Sequence, residues 1–237
     1  MKTWTLRDVA AHWDATLDYD DINAATDSYF RRFTDSAPLF TLPNGRVLDI
    51  DCRTAKGTIF FHKRSPQARF TCVAMSPLFQ RLAREHLESE HIEADVHIFE
   101  QLPLPFPDAT FDAILTYETL EHVPWPARYI AELARIAKPG ALLVLTTPNV
   151  LWEPIHWLAP ILHLHHSEGP HRMVPRREIL AALDTAGWTV TMERSFVLVP
   201  GGPRFLVRFG KFLERRMPEG IKRLLLLRRT FICTRNG

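Results

Sequence analysis

Cysteine is scarce in this chain of 237 residues, which contains only Cys52, Cys72 and Cys233. An odd number of cysteines without a paired spacing argues against a disulfide framework and fits a reducing compartment. Long apolar runs are missing too, so no segment matches the length of a membrane span, and the charged first residues do not match a secretory signal. We therefore expect a cytoplasmic protein with one large, decorated domain.

Charge is unevenly distributed behind the small net value of +2. Residues 204–229 carry nine Lys and Arg against two Glu, a net +7, which leaves −5 for the rest of the chain. Phenylalanines and leucines lie among these cations at helical spacing. The pattern predicts an amphipathic helix that lies on an anionic membrane or an acidic partner, or that packs on the sheet edge with a solvated basic face. The apolar run 224–227 fits either the core or a partner.

Short apolar runs alternate with helical stretches from Arg46 onward. This alternation predicts a parallel sheet with helices on both faces. Ser76-Pro77 predicts the start of a helix, and the Lys-Pro-Gly sequence at 138–140 predicts a turn between a helix and the next strand. Before Arg46, helical periodicity predicts short helices that lie on the core. The predicted strands are 47–50, 70–75, 96–99, 111–117, 142–147, 188–199 and 230–235, and the predicted helices include 77–88, 127–137 and 176–186.

Residues 102–149 closely resemble the core of the class I S-adenosylmethionine-dependent methyltransferases of the UbiE-like (methyltransferase type 11) group. The resemblance includes the L-P-F-P-D turn at 104–108, the strand start at 111–112, the Leu-Glu-His element at 120–122 and the Lys-Pro-Gly sequence. Upstream, VLDIDCRTAKGT aligns with the first family motif and FTCVAMSP with the second. The resemblance implies an α/β fold with a doubly wound, mostly parallel, seven-stranded Rossmann-like sheet and an N-terminal helical lid. It also implies S-adenosylmethionine as the cofactor.

The loop after the first strand differs from the family pattern, which is acidic-x-Gly-x-Gly-x-Gly. Asp49 keeps the acidic place, while Asp51, Arg53 and Ala55 occupy the three glycine places. Glycine serves such loops because it adopts positive φ and leaves room for the ligand. A side chain at positive φ costs about 1 kcal/mol. The guanidinium of Arg53 also needs space and a charge partner.

Other cofactor positions follow from the same resemblance. The family carboxylate that accepts hydrogen bonds from both ribose hydroxyls is replaced by Ala74, which forfeits roughly 1.5–3 kcal/mol per charged hydrogen bond. Glu100 corresponds to the family acid near the adenine, and Glu118 follows strand four, where substrate meets the methyl donor. The resemblance thus assigns cofactor binding to Asp49, Asp51, Arg53, Ala74, Glu100 and Glu118, with the family residue changed at Asp51, Arg53, Ala55 and Ala74.

Glu121 and His122 are the candidate catalytic residues, because they also follow strand four. His122 has the titration range of a general base near neutral pH. Equally, the pair fastens a loop by hydrogen bonds, and both interpretations stay open.

Five histidines crowd the segment after strand five, with Glu168 nearby: His156, His163, His165, His166 and His171. We predict no metal site, because the His163-x-His165 spacing on a helix directs the side chains apart and no cysteine pair accompanies them. A lid over the substrate cleft is the preferred interpretation. Trp152, Trp157 and Leu162 would give it an apolar underside.

Three functional hypotheses follow. The first is a methyltransferase homologue that is non-catalytic or depends on a partner chain, as in a heterodimer whose active subunit binds the cofactor. The second is an active methyltransferase of a small-molecule substrate with an unusual cofactor loop. The third is a pocket that binds another anionic ligand through Arg53.

The expected division of the chain is an N-terminal helical lid (1–40), a Rossmann-like core (41–149), a lid or insertion (150–177) and the C-terminal part of the sheet (178–237). The expected partners are another protein chain, in a homo- or hetero-oligomer, and a membrane surface contacted through 204–229, which would make the protein cytoplasmic but peripheral to a membrane. Nucleic acid is not expected, because neither stacking aromatics on a strand nor a recognition-helix pattern accompanies the charge.

Overall fold

A seven-stranded sheet forms the centre of the protein, with the strand order β3-β2-β1-β4-β5-β7-β6. The computed structural model describes residues 4–15, 26–155 and 169–237. Strand β7 runs antiparallel to both of its neighbours, and the other strand pairs are parallel. The strands are β1 (Arg46–Ile50), β2 (Arg69–Ala74), β3 (Asp95–Ile98), β4 (Phe111–Tyr117), β5 (Ala137–Pro148), β6 (Trp188–Phe196) and β7 (Arg228–Arg235).

Helices flank the sheet, and their starts follow local chemistry. Ser76 accepts a hydrogen bond from the Phe79 backbone N–H, and Pro77 fills the first helical position, where its missing N–H is not needed. The helices are α1 (Leu6–Asp14), α2 (Asp27–Thr34), α3 (Lys56–His62), α4 (Pro77–Ser89), α5 (Pro126–Ile136), α6 (Arg176–Thr185), α7 (Arg204–Arg216) and α8 (Glu219–Leu225). Short 3-10 turns occupy Ala37–Leu39 and Val150–Trp152.

The predicted doubly wound, mostly parallel sheet is confirmed, with two local corrections. The Lys-Pro-Gly sequence does not precede β5 but lies within its first residues, because α5 passes directly into the strand at Ala137. Gly140 has a φ of 79° there, in an irregular stretch of the pairing with β4. The strand predicted to reach residue 199 ends at Phe196, because Val197 has a φ of 73°.

The N-terminal helices pack on the carboxyl side of the sheet. Leu6, Val9 and Trp13 form the buried face of α1, and they share a core cluster with Ala74 and Phe79. This burial follows from the helical spacing of the three apolar residues. Asp14 accepts a hydrogen bond from the Leu78 backbone N–H at 3.3 Å, which fixes the end of α1 to the start of α4.

The basic segment 204–229 forms two helices instead of one, because Pro218 interrupts it between α7 and α8. Leu226 and Leu227 are buried, whereas Leu224 and Leu225 are exposed, so the core takes only half of the apolar run. Within the described ranges, no helix combines the length and hydrophobicity that crossing a bilayer requires.

Candidate functional site

The candidate site lies at the carboxyl ends of β1 and β4, where the strand order reverses. β1 pairs with β2 on one side and with β4 on the other, so the chain winds outward in both directions from this point. Ligands of open α/β sheets bind in the crevice that this reversal creates. Residues 51–55 follow β1 and residues 118–122 follow β4. The two predicted loops are therefore neighbours.

The loop after β1 has a left-handed backbone at each position where the resemblance places a glycine. The φ angle is 61° at Asp51, 49° at Arg53 and 61° at Ala55. Neighbouring structure holds the loop, since the Cys52 N–H donates to the Val73 carbonyl at 3.0 Å. All three side chains are buried. The loop thus keeps a conformation that favours glycine while carrying Cβ atoms and two charges.

Asp49 is buried at the end of β1. The Thr58 hydroxyl donates a hydrogen bond to its Oδ2 at 2.5 Å. Burial raises the pKa of Asp49 to about 6, although the hydrogen bonds from Thr58 act in the opposite direction. This carboxyl group therefore has a raised pKa, and it is hydrogen-bonded to α3 within the protein.

Arg53 lies beneath the N-terminal helix. Its guanidinium carbon is 5.4 Å from the centroid of the Trp13 ring, and its Nε is 3.8 Å from Asp51 Oδ2. Arg53 is only 6% exposed, although an arginine is seldom buried without compensating contacts. The Trp13 ring also lies 5.6 Å from Phe79 and 5.0 Å from His122. A guanidinium and an indole thus pack together over the loop after β1.

Ala74 ends β2 and is fully buried. Its carbonyl accepts a hydrogen bond from the Phe99 N–H at 2.8 Å, but its methyl group offers no acceptor to a ligand hydroxyl. At the next strand, Glu100 is exposed and lines an open cavity of about 640 Å³ between α4 and β3. That cavity lies on the outer strand β3, and its lining residues do not include those of the loop after β1.

Glu118 is held between two arginines from distant parts of the chain. Arg228 Nε donates to Glu118 Oε1, and Arg32 Nη2 lies 3.0 Å from Glu118 Oε2. Burial alone would raise the pKa of Glu118, but Arg228, Arg32 and Arg53 outweigh it and lower the pKa to about 2. Arg228 also donates to the Ser28 carbonyl at 2.9 Å. The carboxylate therefore fastens α2 and β7 to the end of β4.

Glu121 and His122 are both buried and both contact the segment before α6. The Glu121 carbonyl accepts from the Arg172 N–H at 2.8 Å, and its Oε2 accepts from the Thr147 hydroxyl at 3.2 Å. His122 Nδ1 lies 3.2 Å from the Pro170 carbonyl oxygen. The His122 carbonyl accepts from the Trp4 indole at 2.9 Å. These contacts connect the residue Trp4 before α1, the loop after β4 and the segment at 169–172.

The structure brings most of the predicted site residues together and leaves one apart. Asp51, Arg53, Glu118 and His122 lie close together at the ends of β1 and β4, and Asp49 precedes them on β1. Glu100 lies apart, after the end of β3. Residues 156–168 of the proposed lid lie outside the described residues, and with them His156, His163, His165, His166, Glu168, Trp157 and Leu162. His171 is described, and its Nδ1 lies 2.8 Å from the Gly169 carbonyl oxygen. In the described part of the chain, no group of three or more His, Cys, Asp and Glu residues has the geometry of a metal site.

Sequence reasoning missed Trp13, Arg32 and Arg228 as residues of the crevice. The apolar spacing of α1 indicated that Trp13 faces the core, but no local signal indicates which loop it covers. The partners of Glu118 lie 86 and 110 residues away in sequence. Pairing over such separations is set by the topology of the sheet.

A family model for a methyltransferase domain matches residues 23–193. Among curated proteins, the chain is 34% identical over 110 residues to the ubiquinone biosynthesis O-methyltransferase of Xanthomonas campestris pv. campestris (strain B100), which covers 46% of this chain and 45% of that protein. It is 28% identical over 148 residues to the ubiquinone/menaquinone biosynthesis C-methyltransferase UbiE of Burkholderia mallei (strain SAVP1), covering 62% and 60%. The chain thus matches only about half the length of these relatives.

Solved structures share the fold over nearly the whole chain. The [4+2]-cyclase SpnF matches with a TM-score of 0.72 and 17% identity, covering 98% of this chain and 96% of SpnF. A Haloferax volcanii complex of the Trm112 methyltransferase activator with a methyltransferase matches with a TM-score of 0.69 and 16% identity, covering 95% and 98%.

A third structure relates the fold to the cofactor. The geranyl diphosphate C-methyltransferase of Streptomyces coelicolor A3(2), solved with S-adenosyl-L-homocysteine, matches with a TM-score of 0.60 and 18% identity, covering 80% of this chain and 69% of that one. S-adenosylmethionine is therefore the cofactor that family resemblance assigns to this fold. Since the family model covers most of the chain, the chain belongs to the class I S-adenosylmethionine-dependent methyltransferase family.

Proposed function

We propose that this methyltransferase-fold protein does not hold S-adenosylmethionine by itself and serves as a non-catalytic or partner-dependent subunit of a methyltransferase complex. The position of Arg53 is the observation that carries the proposal. Its buried guanidinium lies against Trp13 and Asp51 directly over the loop that borders the ligand in this fold. A ligand in that place would have to displace both an arginine and an indole ring.

The residues of the crevice do not fit the cofactor in this conformation. Three buried side chains occupy the loop positions at which a ligand needs bare backbone. Ala74 supplies no carboxylate for the ribose hydroxyls, and Glu118 is already bound by Arg32 and Arg228. The side chains of the loop, Ala74 and the bound Glu118 would each affect a different part of the ligand. We therefore infer that their losses of affinity add to one another.

A partner chain is part of this proposal. The Haloferax complex supports it, because a methyltransferase of the same fold is there bound to an activator protein. The curated relatives are named for ubiquinone and menaquinone biosynthesis, so a small-molecule substrate fits the complex if it is active. The three cysteines are buried and free, which supports a cytoplasmic location.

One observation favours the alternative, an active methyltransferase. The loop keeps positive φ angles at all three family glycine positions, and Asp49 keeps its place. Residues 1–40 would then act as a lid whose α1 withdraws Trp13 from the crevice, residues 150–177 as a second cover, and Glu121 or His122 would remain candidates for catalysis. The core at 41–149 and the C-terminal part at 178–237 would keep the roles expected above.

Isothermal titration of the full chain with S-adenosylmethionine, and separately with S-adenosylhomocysteine, tests the proposal. We expect no binding heat up to millimolar ligand. The double variant Arg53→Gly, Ala74→Asp should gain measurable affinity, since each restored hydrogen bond to the carboxylate contributes about tenfold or more. The matched control is Arg64→Gly with Ala94→Asp, which makes the same chemical changes away from the crevice.

Micromolar binding by the unaltered chain would overturn the proposal in favour of the active enzyme. A folded double variant that binds no better than the control would show that Arg53 and Ala74 are not the cause of the loss. Affinity purification of the full chain from its native cells, followed by titration of the recovered complex, then tests whether a partner restores binding.

A further inference from the structure

The large apolar side chains that are exposed among the described residues all lie on four neighbouring segments. These segments are α2, residues 150–155, α7 and α8. We call this surface the apolar face. Its exposed members are Phe30, Leu151, Ile155, Phe205, Leu206, Phe209, Phe212, Ile221, Leu224 and Leu225.

Specific bonds join the four segments in two pairs. Arg31 of α2 forms a bidentate pair with Glu214 of α7, at 3.0 and 2.5 Å. The Trp152 indole donates to the Leu225 carbonyl at 2.8 Å, and the Asn149 amide donates to the Leu224 carbonyl at 2.7 Å. The two pairs adjoin in the chain, since only Met217 and Pro218 separate α7 from α8. Apolar exposure concentrated on these segments exceeds the scattered exposure that is usual for folded proteins.

The side chains of helix α7 form three stripes around the helix axis. Val207, Gly210 and Glu214 face the protein and are buried. At ~3.6 residues per turn, Phe205, Phe209 and Phe212 form an exposed aromatic stripe. Arg204, Arg208 and Arg215 form an exposed basic stripe between the aromatic and the buried one. The helix thus presents aromatic rings beside a row of cations.

The acidic groups of α7 and α8 do not offset these cations, because each is engaged within the protein. Glu214 is bound by Arg31 and also accepts from the Leu198 N–H at 2.8 Å. Glu219 accepts from Lys222 at 2.8 Å. Arg216 adds a further positive charge, with its guanidinium carbon 3.8 Å from the centroid of the Phe212 ring. The exposed charge of α7 and α8 is therefore positive.

We propose that α7 and α8 lie in the headgroup region of an anionic lipid bilayer, with the rings of Phe205, Phe209 and Phe212 buried among the acyl chains. An in-plane amphipathic helix combines this apolar stripe with basic residues that attract anionic lipids. A second copy of the chain fits less well, since a self-complementary contact would bring the basic stripes together. The proposal does not depend on whether the chain binds S-adenosylmethionine.

Vesicle sedimentation with the full chain tests this proposal. The probes are vesicles of phosphatidylcholine alone and vesicles containing roughly a third phosphatidylglycerol. We expect binding to the anionic vesicles that weakens as salt is added, and little binding to the neutral ones. The triple variant Phe205→Ala, Phe209→Ala, Phe212→Ala should lose at least about tenfold in partition, because it removes the groups that insert.

The charge variant Arg204→Gln, Arg208→Gln, Arg215→Gln should also lose about tenfold, and only on the anionic vesicles. Its matched control, Arg7→Gln, Arg64→Gln, Arg177→Gln, removes three exposed arginines on other elements and should bind as the unaltered chain does. If the charge variant and its control lost vesicle binding equally, net charge alone would explain the effect, and the proposal would be overturned. An unaltered chain that fails to bind vesicles would overturn it too. Light scattering that shows a dimer, made monomeric by the phenylalanine variant, would assign the face to a second copy instead.

Discussion

The carboxyl edge of the sheet buries charged side chains, whereas the apolar face exposes aromatic and aliphatic ones. At the edge, Asp49 and Arg53 are buried, and the side chain of Glu118 is only 14% exposed. On the face, Phe205 is 69% exposed and Phe209 is 56% exposed. Both placements cost stability relative to the reverse arrangement, because charges favour water and apolar groups avoid it. The two regions therefore point to requirements other than folding.

The two regions differ in whether other residues of the chain contact their unfavourably placed side chains. Inside the chain, Arg32 and Arg228 bind Glu118, and the Trp13 ring covers Arg53. The exposed rings of Phe205 and Phe209 lack such cover within the described residues. The carboxyl edge thus keeps its charged groups in contact with other parts of the chain, whereas the apolar face leaves its aromatic rings in contact with water.

The largest expected effect comes from removing the centre of the buried charge cluster. Glu118→Gln leaves Arg32 and Arg228 buried without their counter-charge and should lower the free energy of unfolding by about 3–5 kcal/mol. Urea denaturation followed by circular dichroism measures the change. Glu85→Gln is the control, because its pair with Arg81 is exposed and should contribute no more than about 1 kcal/mol. Equal effects of the two substitutions would contradict the asymmetry between buried and exposed charge.

A smaller effect, of opposite sign, is expected at Asp49. Burial raises its pKa in the folded protein to about 6, so the folded state binds a proton more tightly than the unfolded state does. The stability that this proton contributes is present at low pH and is lost as the pH rises toward 6 and above it. Asp49→Asn mimics the protonated form and should stabilise the protein at pH near 8 by up to about 3 kcal/mol.

The gain at Asp49→Asn should vanish at acidic pH, where the native carboxyl group is protonated in both states. Urea unfolding of both proteins across this pH range measures the effect. A gain that does not vary with pH would mean that packing of the amide, instead of the carboxylate charge, is responsible.

The smallest effect is expected on the open face. Phe209→Ala should change the free energy of unfolding by no more than about 0.5 kcal/mol, because the ring is already largely exposed to water. Phe79→Ala is the comparison, since Phe79 is fully buried and its truncation should cost about 3–5 kcal/mol. A large loss at Phe209, measured by thermal unfolding, would show that the ring packs within the chain and would weaken the contrast between the two regions.

The sequence predicted the architecture well because strand alternation and helix caps are local signals. β4 was predicted with its observed bounds, and α4 with its observed start at Pro77. The glycine places at residues 51, 53 and 55 were located from the family pattern, and the backbone has positive φ at each of them. The break between α7 and α8 also has a local signal in Pro218, which the helical spacing of the apolar residues does not show.

The contents of the crevice could not be predicted in the same way. The contact of Trp13 with Arg53 joins a helix to a loop about forty residues later, and the pairing of Arg228 with Glu118 joins the last strand to the fourth. Such contacts depend on the order of strands in the sheet and on how the N-terminal helices lie across it. A local pattern of residues encodes neither the strand order nor the placement of these helices.

The left-handed loop after β1 separates two reasons for using glycine in such a turn. Asp51, Arg53 and Ala55 adopt the required backbone, held between the sheet and α3, without any help from glycine. The surrounding fold therefore supplies the shape of the turn by itself. What a glycine adds at these positions is empty volume, and that volume benefits only a guest molecule. In this chain the three buried side chains occupy that volume, and under the proposed function this is why the loop keeps its backbone conformation without holding the cofactor.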